Sequence, residues 1–560
     1  MQPSPQALAD QFAITAGDTK PGAVPLQQAF DQRQGHFVRF CVDGPDYFKS
    51  IEKEISDLLL ESSDASRFFY ISAWWLGLID VNKTVMVDPD IPGSRLLASF
   101  TDALNPWPAP VNYPPFILPG SRTLLDRLVE MSSKGIDVRV LSWVSPFASK
   151  YKQVADRSEG IAGLNLHTLL STQALRNKFG ASGHIMLNLL SHPLGAAHLK
   201  VVVCGNATSM RAYSGGMDPV STRMEASWHD AAVCFEGPAA AHTYEYFRQL
   251  WNEQRKRDPE VFILDNVKIA SHLDSTPEIP QRKALPARNQ THSCVQVLRT
   301  VPTMNFSSLG PEWLEPNVVQ RAALVNLMGF KKPPLSFAPK GIFEFRAAMH
   351  KMIAAAHSYI FITDQCFSSQ EVMDWLNVRL TDGSNVKVIL LYGPDPNDPP
   401  SGSMQEAINA HLLKNVEKSG QARSGFKNLA CFKWDRVVVH SKVTIVDDVA
   451  CIIGSANCGM RRSFYTDIEH SASIVDVGAA QPIKQLRQRM WARYCNTDWA
   501  EVPADAQDAL YIWDSGWTPE GPPRALKLIP GVKQYFLPAT GAGYSKQTYD
   551  QQDPDSREEF

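Results

Sequence analysis

HLKVVVC at residues 198–204 and HSKVTIVD at residues 440–447 are two apolar stretches that each begin with a His-x-Lys triplet. Their apolar, β-branched composition is typical of buried strands. Side chains at positions i and i+2 of a strand point to the same face, so the histidine and lysine of each triplet should project together. These pairs are His198 with Lys200 and His440 with Lys442. One triplet would be weak evidence, whereas two in matching surroundings indicate a duplicated element.

The residues downstream of the two triplets recur in the same order and at matching spacings. The first copy continues with Gly215-Gly216-Met217-Asp218, Arg223 and Asp230, and the second with Gly454-Ser455-Ala456-Asn457, Arg462 and Glu469. In both copies the arginine lies 5 residues, and the acid 12 residues, after Asp218 or Asn457. The lysine-to-glycine distance is 15 residues in the first copy and 12 in the second, which predicts a three-residue insertion in a surface turn. The arginines either contact phosphate or brace the turn, and we favour bracing.

Strand and helix patterns alternate around both copies. The patterns of the first copy are FFYISAWW (68–75), LLDRLVEMSSKG (124–135) and IDVRVLSWV (136–144), and those of the second are FRAAMHKMIAAAH (345–357), SYIFITDQ (358–365), EVMDWLNVRL (371–380) and NVKVILLYG (385–393). Alternation of this kind predicts an α/β fold. We expect two similar α/β/α halves, each a mostly parallel or mixed sheet covered by helices, related by pseudo-twofold symmetry, with one active site between them.

This order of patterns divides the chain into five predicted parts. They are an irregular N-terminal segment (1–35), a first half (36–270), a linker (271–340), a second half (341–503) and a C-terminal extension (504–560).

The residue types of the repeat suit attack on a phosphodiester, which needs a nucleophile, a proton donor and positive charge at the phosphoryl oxygens. Two histidines can act from opposite sides of phosphorus, and a nearby acid can orient each imidazole. We therefore predict as catalytic His198, Lys200, His440, Lys442, Asp230 and Glu469, and as phosphate-binding Lys200, Asp218, Lys442 and Asn457. No cofactor or metal is expected, because the lysines supply the charge and the spacing of His184, His192, His198 and Cys204 fits no standard zinc pattern.

Bulk properties bear on the partner and the location. The 55 basic and 58 acidic residues give a net charge of −3, which argues against nucleic acid as a partner. The sequence MQPSPQALADQFAITAG at the start has neither the basic nor the apolar region of a signal peptide, and no apolar run is long enough to span a membrane. We expect synthesis in the cytoplasm and action at a membrane surface, or delivery into the periplasm of a target cell.

At these residues the sequence resembles the phospholipase D superfamily, whose HxKxxxxD motif occurs twice in one chain. His440, Lys442 and Asp447 match fully, whereas the first copy has Gly205 where the family has Asp. That Asp generally holds the local structure of the motif, and Asn206 could partly replace it.

Outside the two motifs the likeness is to eukaryotic-type phospholipases D and their bacterial relatives. It is carried by Gly215-Gly216-Met217-Asp218, Trp228-His229-Asp230, Glu236-Gly237-Pro238, Val295-Gln296-Val297-Leu298-Arg299, Tyr359-Ile360-Phe361-Ile362 and Asp364-Gln365.

The resemblance implies that His198 attacks phosphorus to form a phosphohistidine and that His440 protonates the departing alcohol. The expected reaction is hydrolysis of the distal phosphodiester of glycerophospholipids to phosphatidic acid and a free alcohol. Similar bacterial proteins include antibacterial effectors delivered by type VI secretion, which would bring a secretion apparatus and an immunity protein as partners.

Three alternatives remain open at this point. The chain could be a phosphodiesterase of the same superfamily that acts on nucleic acid, a phospholipid synthase, or a catalytically inactive relative that binds lipid.

Overall fold

The structure is a computed structural model that describes most of the chain. The described residues are 5–15, 18, 36–61, 66–80, 114–144, 159–192, 195–259, 261–264, 267–288, 293–302, 333–365, 367, 369–393, 428–435, 437–459, 462–514, 517 and 526–534.

The elements of the N-terminal part are, in chain order, α1 (Pro5–Phe12), β1 (Phe37–Val42), α2 (Asp43–Leu60), β2 (Phe68–Ala73), α3 (Leu124–Ser133), β3 (Asp137–Trp143), α4 (Glu159–Lys178), β4 (Gly183–Asn188), β5 (Val201–Gly205), β6 (Met210–Gly215), β7 (Trp228–His229), β8 (Ala231–Glu236), α5 (Pro238–Lys256), β9 (Val261–Leu264) and β10 (Val267–Ala270). Those of the C-terminal part are β11 (Ser293–Val301), β12 (Ile342–Phe343), α6 (Glu344–Ala354), β13 (Tyr359–Asp364), α7 (Gln370–Thr381), β14 (Lys387–Tyr392), β15 (Leu429–Trp434), β16 (Val438–Val439), β17 (Val443–Val446), β18 (Ala450–Gly454), α8 (Arg462–Tyr465), β19 (Glu469–Asp476), α9 (Pro482–Cys495), α10 (Ala506–Ala509) and β20 (Val532–Gln534).

Two large mixed sheets repeat one topology. The first sheet has the order β1-β8-β6-β5-β2-β3-β4, and the second has β11-β19-β18-β17-β13-β14-β15 with β12 and β20 added at its two edges. In both sheets the last three strands of this shared order are parallel and the other neighbours are antiparallel. The predicted α/β duplication is therefore confirmed strand by strand.

The strand that reads FFYISA shows why its sequence is apolar throughout rather than alternating. Phe68 and Tyr70 face a core that contains side chains of both sheets and of α5 and α9. Phe69 and Ile71 face the opposite core, beneath α2 and α3. Both faces of the strand are buried, as expected for a sheet covered by helices. Because α5 and α9 belong to the shared core, the two halves bury their inner faces against each other.

Three predicted boundaries were wrong. The segment 1–35 contains helix α1, whose Ala9 and Phe12 are buried in the core of the second half. The predicted linker 271–340 contains β11, which lies between β12 and β19 and is buried along its whole length. The C-terminal extension supplies β20 at the edge of the second sheet. Local periodicity could not place these segments, because their contacts are with parts of the chain that lie far away in sequence.

Among the described residues, no helix combines the length and the apolar character needed to cross a membrane.

The carboxyl group of Asp476, at the end of β19, makes stability depend on pH. It accepts hydrogen bonds from the Ser293 hydroxyl and the Ile483 amide, and burial raises its pKa to about 7. The folded chain then binds more protons than the unfolded chain between about pH 4 and pH 7, so the free energy of unfolding falls as the pH rises through this window. We expect Asp476→Asn to remove a few kcal/mol of that pH dependence, measured by urea unfolding at pH 5 and pH 8.

The control is Asp508→Asn, which changes an exposed carboxylate on α10. An unchanged pH dependence in Asp476→Asn would contradict the assignment to Asp476.

Candidate active site

Each His-x-Lys segment lies just before a strand and pairs with the other half of the molecule. The Ala197 segment forms a parallel bridge with Ile468, and the amide of His198 donates to the Ile468 carbonyl at 2.9 Å. In the same way β16 pairs with β7, and the amide of His440 donates to the carbonyl of His229 at 2.8 Å. The strands themselves begin only at residues 201 and 443, so the prediction that the triplets lie within strands was wrong by three residues. The pairing between halves places each histidine next to an acid of the opposite half.

The two predicted acids contact the two histidines across the interface. The Nδ1 atom of His198 lies 3.0 Å from Oε1 of Glu469, and Nδ1 of His440 lies 2.7 Å from Oδ2 of Asp230. Both carboxyl groups are fully buried. A carboxylate at this position accepts the Nδ1 proton, which leaves Nε2 of the neutral imidazole with a lone pair. The arrangement provides two such Nε2 atoms, one from each half.

Burial sets the protonation of these pairs. Burial and then Lys200 lower the pKa of His198 well below its ordinary value, and burial and then Lys442 do the same for His440. Burial also raises the pKa of Asp230 to about 6 and raises that of Glu469. Both imidazoles are therefore neutral in the free site. A bound phosphodiester anion would favour their protonation.

The two lysines are fixed in the same way. Each Nζ atom donates to the carbonyl of the histidine two residues before it, at 2.8 Å for Lys200 and 2.6 Å for Lys442. Both side chains are almost fully buried. Two ammonium groups held beside two imidazoles can neutralise the non-bridging oxygens of a phosphodiester.

Asp218, a predicted phosphate-binding residue, lies beside the first lysine. Its Oδ1 atom accepts the amides of Trp74 and Trp75, and its Oδ2 atom lies 3.6 Å from Nζ of Lys200. A carboxylate oxygen accepts hydrogen bonds, so this position suits Asp218 as a counter-ion of Lys200.

Asn457 is engaged differently from the prediction, and it reveals an acid that the motif comparison missed. Its Nδ2 atom donates to Oδ1 of Asp364 at 2.6 Å, and the amide of Gly459 donates to Oδ2. Burial raises the pKa of Asp364 to about 6, while Lys442 opposes the shift. Each half thus places one carboxylate near its lysine, after β6 in the first half and at the end of β13 in the second. Two signals for Asp364 were available in the sequence, its position at the end of an apolar strand and its place in the Asp364-Gln365 pair that carries the family likeness.

Two tryptophans that the motif comparison did not select line the imidazoles. The ring of Trp74 meets His198 edge-on at 5.9 Å and lies 5.5 Å from Nζ of Lys200. The ring of Trp228 lies 5.0 Å from that of His440. Sequence offered a weak signal for Trp228, which stands two residues before Asp230.

The predicted three-residue insertion is distributed along the first hairpin. Strand β5 is one residue longer than its counterpart β17, and β6 is one residue longer than β18. The turn between β5 and β6 is also one residue longer than the turn between β17 and β18. In the second half Asp447 accepts the amides of residues 357–359, which lead into β13. In the first half Asn206 accepts amides of its own turn, and its Nδ2 atom donates to Glu61 at the end of α2. Asn206 therefore links the first hairpin to the segment before β2 through Glu61, whereas Asp447 links the second hairpin directly to the backbone at β13.

The longer hairpin has no room for the aspartate that the family carries. A Cβ atom on Gly205 would lie 2.1 Å from the carbonyl oxygen of Ser209. We expect Gly205→Asp to lower the free energy of unfolding by about 2 kcal/mol or more, because the backbone of the turn must move. Urea unfolding followed by tryptophan fluorescence measures the effect. Ala207→Asp, which adds the same carboxylate at an exposed position of this turn, is the control. Wild-type stability of Gly205→Asp would show that the hairpin accommodates the family residue.

Comparison with known proteins identifies the second half. Residues 349–491 match the family model described as cardiolipin synthase, PLD-like domain. That stretch includes the second His-x-Lys triplet and Glu469.

Curated relatives match the chain over a similarly short stretch. Cardiolipin synthase 2 of Staphylococcus epidermidis is 29% identical over 136 residues, which are 24% of this chain and 25% of the relative. Cardiolipin synthase A of Pseudomonas aeruginosa is 28% identical over 143 residues, which are 25% of this chain and 26% of the relative. The matches thus span about a quarter of the length of these relatives.

Two solved structures align with this chain at low similarity. Phosphatidylserine synthase of Haemophilus influenzae Rd KW20 aligns with a TM-score of 0.45 and 12% identity over 83% of this chain and 86% of that chain. The phospholipase D family member Nuc from Salmonella typhimurium aligns with a TM-score of 0.22 and 15% identity over 36% of this chain and 94% of that chain. The chain thus carries a PLD-like domain at residues 349–491, and the same strand order and a second His-x-Lys segment recur in its first half.

Proposed function

We propose that this chain is a phosphatidyltransferase, which moves the phosphatidyl group of one phospholipid to an alcohol through a phosphohistidine. The observation that carries the proposal is the cross-paired site, in which two imidazoles with acids from opposite halves lie beside two lysines. Such a site provides one nitrogen for attack on phosphorus and another for proton transfer to the alcohol oxygen.

The first step forms the bond between phosphorus and Nε2 of His198. The bond from phosphorus to the head-group oxygen breaks. His440, which takes up a proton at Nε2 when the anionic substrate binds, gives that proton to the oxygen. Glu469 accepts the Nδ1 proton of His198 in a hydrogen bond and stabilises the cationic imidazole. Lys200 and Lys442 neutralise the phosphoryl oxygens.

The second step reverses the first with a new alcohol. His440 removes the proton of the incoming hydroxyl, whose oxygen attacks phosphorus as the bond from phosphorus to His198 breaks. Microscopic reversibility gives the same residue both proton-transfer roles.

The surroundings of the two acids support these roles, with His198 as the nucleophile and His440 as the group that transfers protons. The hydroxyls of Ser455 and Ser463 donate to Glu469 at 2.5 Å and 2.7 Å and favour its ionised form. Asp230, whose pKa burial raises to about 6, lies 2.7 Å from Nδ1 of His440 and can share a proton with it. A carboxylate with two hydroxyl donors suits the nucleophilic histidine, and a pair that shares a proton suits the acid.

Transfer is preferred to hydrolysis, which the sequence resemblance favoured, for two reasons. The relatives that match the second half are named cardiolipin synthases. The indoles of Trp74 and Trp228 also pack against His198 and His440, and an apolar surface of this kind would favour an alcohol over water.

The test offers the purified chain several substrates in parallel. Phosphatidylglycerol is a suitable donor and acceptor, because it carries both a phosphodiester and a free primary hydroxyl. In vesicles of this lipid we expect cardiolipin and glycerol in equal amounts, measured by mass spectrometry. Phosphatidic acid in place of cardiolipin would establish hydrolysis instead. Nicking of plasmid DNA would establish a nuclease, and vesicle binding without turnover of any lipid would establish an inactive relative.

The role as a delivered antibacterial effector, with a secretion apparatus and an immunity protein as partners, stays a prediction. Expression in a Gram-negative host, with and without an added export signal, tests it. Growth arrest that requires both export and His198 would support the role, whereas unimpaired growth with the exported chain would oppose it.

A further inference from the structure

The two halves hold their histidine segments with different residues. The carbonyl that accepts the amide of His198 belongs to Ile468, whereas the carbonyl that accepts the amide of His440 belongs to His229. The side chains of Ile468 and His229 are both fully buried. A buried imidazole needs hydrogen-bond partners, and an isoleucine side chain can form no hydrogen bonds. The backbone that holds His440 therefore belongs to a polar network without an equivalent at Ile468.

The network around His229 joins the two halves of the molecule. Its Nδ1 atom lies 2.8 Å from Oδ1 of Asp43, the first residue of α2, and its Nε2 atom lies 3.0 Å from the hydroxyl of Tyr494 on α9. The centre of its ring also lies 5.4 Å from that of Trp434 on β15. Because a carboxylate oxygen accepts hydrogen bonds, Nδ1 of His229 carries a proton toward Asp43. Each ring nitrogen thus has a partner, one from each half.

Asp43 connects this network to the carboxyl group that serves His440. Its Oδ1 atom also accepts the amide of Asp230 at 3.2 Å, and its own amide donates to the Asp230 carbonyl at 2.8 Å. The Nε atom of Arg493 donates to Oδ2 at 3.1 Å. Burial acts to raise the pKa of Asp43, but His229 and then Arg493 lower it below its ordinary value, so the carboxyl is ionised at neutral pH. One carboxylate thus fixes both residues that contact His440.

The backbone of Asp43 adopts a conformation that is unusual for a residue with a side chain. Its φ angle is +64°, in the left-handed region that favours glycine. Such residues occur often at functional sites, where the surrounding contacts hold them. A glycine would make the turn from β1 into α2 with less strain, so the aspartate at this position points to a use for its carboxylate.

We infer that Asp43 is a positioning residue for the general acid, whose imidazole it holds through His229 and Asp230. The inference rests on the proposed function, because that function makes His440 the acid. Asp43 acts through these two residues and not on the phosphodiester itself. Its loss should therefore slow the steps in which His440 transfers a proton, and attack by His198 on phosphorus should change little.

The experiment compares two donor lipids in the first turnover, with the chain in excess over donor in mixed micelles. Phosphatidylglycerol releases glycerol, whose oxygen needs a proton, and a phospholipid with a p-nitrophenyl head group releases p-nitrophenolate, which needs none. In Asp43→Gly, which keeps the left-handed turn, we expect glycerol release to slow about tenfold to a hundredfold and p-nitrophenolate release to slow less than about threefold. Rapid quench with mass spectrometry measures glycerol, and stopped-flow absorbance measures p-nitrophenolate.

Asp43→Asn is the conservative variant. Asparagine also tolerates the left-handed region, and its side-chain oxygen can still accept the amide of Asp230. We expect this variant to recover part of the rate of glycerol release. If circular dichroism shows that Asp43→Gly does not fold, the ratio of the two release rates in Asp43→Asn decides the question.

Asp46→Asn is the matched control. Asp46 lies in the same turn of α2 and also forms an ion pair with α9, to Arg489 at 2.6 Å, but its other partners are Arg39 and the Val42 amide on β1. This variant should slow the two releases by the same factor.

Equal slowing of both releases in folded Asp43→Gly would show that the carboxylate only braces the interface, and it would overturn the inference alone. Unchanged rates with both donors would overturn it as well. If the wild-type chain releases the head group of neither donor, the proposed function fails, and the inference fails with it.

Discussion

His440→Asn is expected to stop turnover and to leave a phosphatidyl group on His198. A donor lipid with a p-nitrophenyl head group needs no proton on its leaving oxygen, so attack by His198 proceeds without the acid. The second step then stalls, because no imidazole removes the proton of the acceptor. We expect a burst of about one p-nitrophenolate per site followed by a rate at least about 10⁴-fold below that of the wild type. Stopped-flow absorbance measures the burst, and mass spectrometry of peptides locates the phosphatidyl group.

His198→Asn should release no burst and form no covalent adduct. The opposite pattern, with an adduct on His440, would exchange the two roles. Near wild-type turnover in either variant would contradict a site that uses both histidines. The control is His350→Asn, which alters an exposed histidine on α6.

Asp230→Asn and Glu469→Gln are expected to lower kcat by about 10³-fold to 10⁴-fold, as loss of the acid does in other histidine–carboxylate pairs. Each change removes the negative charge that stabilises a cationic imidazole. In Asp230→Asn the pKa of His440 falls, because the protonated form loses its partner. In this variant His440 loses its proton at a lower pH than in the wild type. The basic limb of the plot of kcat/KM against pH therefore moves to lower pH.

The direction of that shift separates a chemical role from a structural one. A loss of activity caused only by misfolding would lower the whole profile without moving it. Glu225→Gln, which removes an exposed acid of the same half, should leave both the rate and the profile unchanged. A profile that stays in place in Asp230→Asn would contradict the pairing of Asp230 with His440.

The sequence by itself determined the duplication and the residue types of the site. Two His-x-Lys triplets, with arginines and acids at equal spacing, required two copies of one element order. Apolar runs such as FFYISA required strands covered on both faces, and the two sheets confirm this reading. These features follow from local rules, because periodicity and spacing are properties of neighbouring residues.

Only the tertiary structure decided which acid serves which histidine. Glu469 lies 271 residues from His198, and Asp230 lies 210 residues from His440. The halves exchange partners because each histidine segment pairs with the backbone just before the acid of the other half. The same holds for β11 and β20, whose neighbours in the second sheet are distant in sequence, and for the pairing of Asn457 with Asp364. Equal spacing within each copy is compatible with pairing inside a half or between halves, and only the packing of the two sheets on their shared core selects the second.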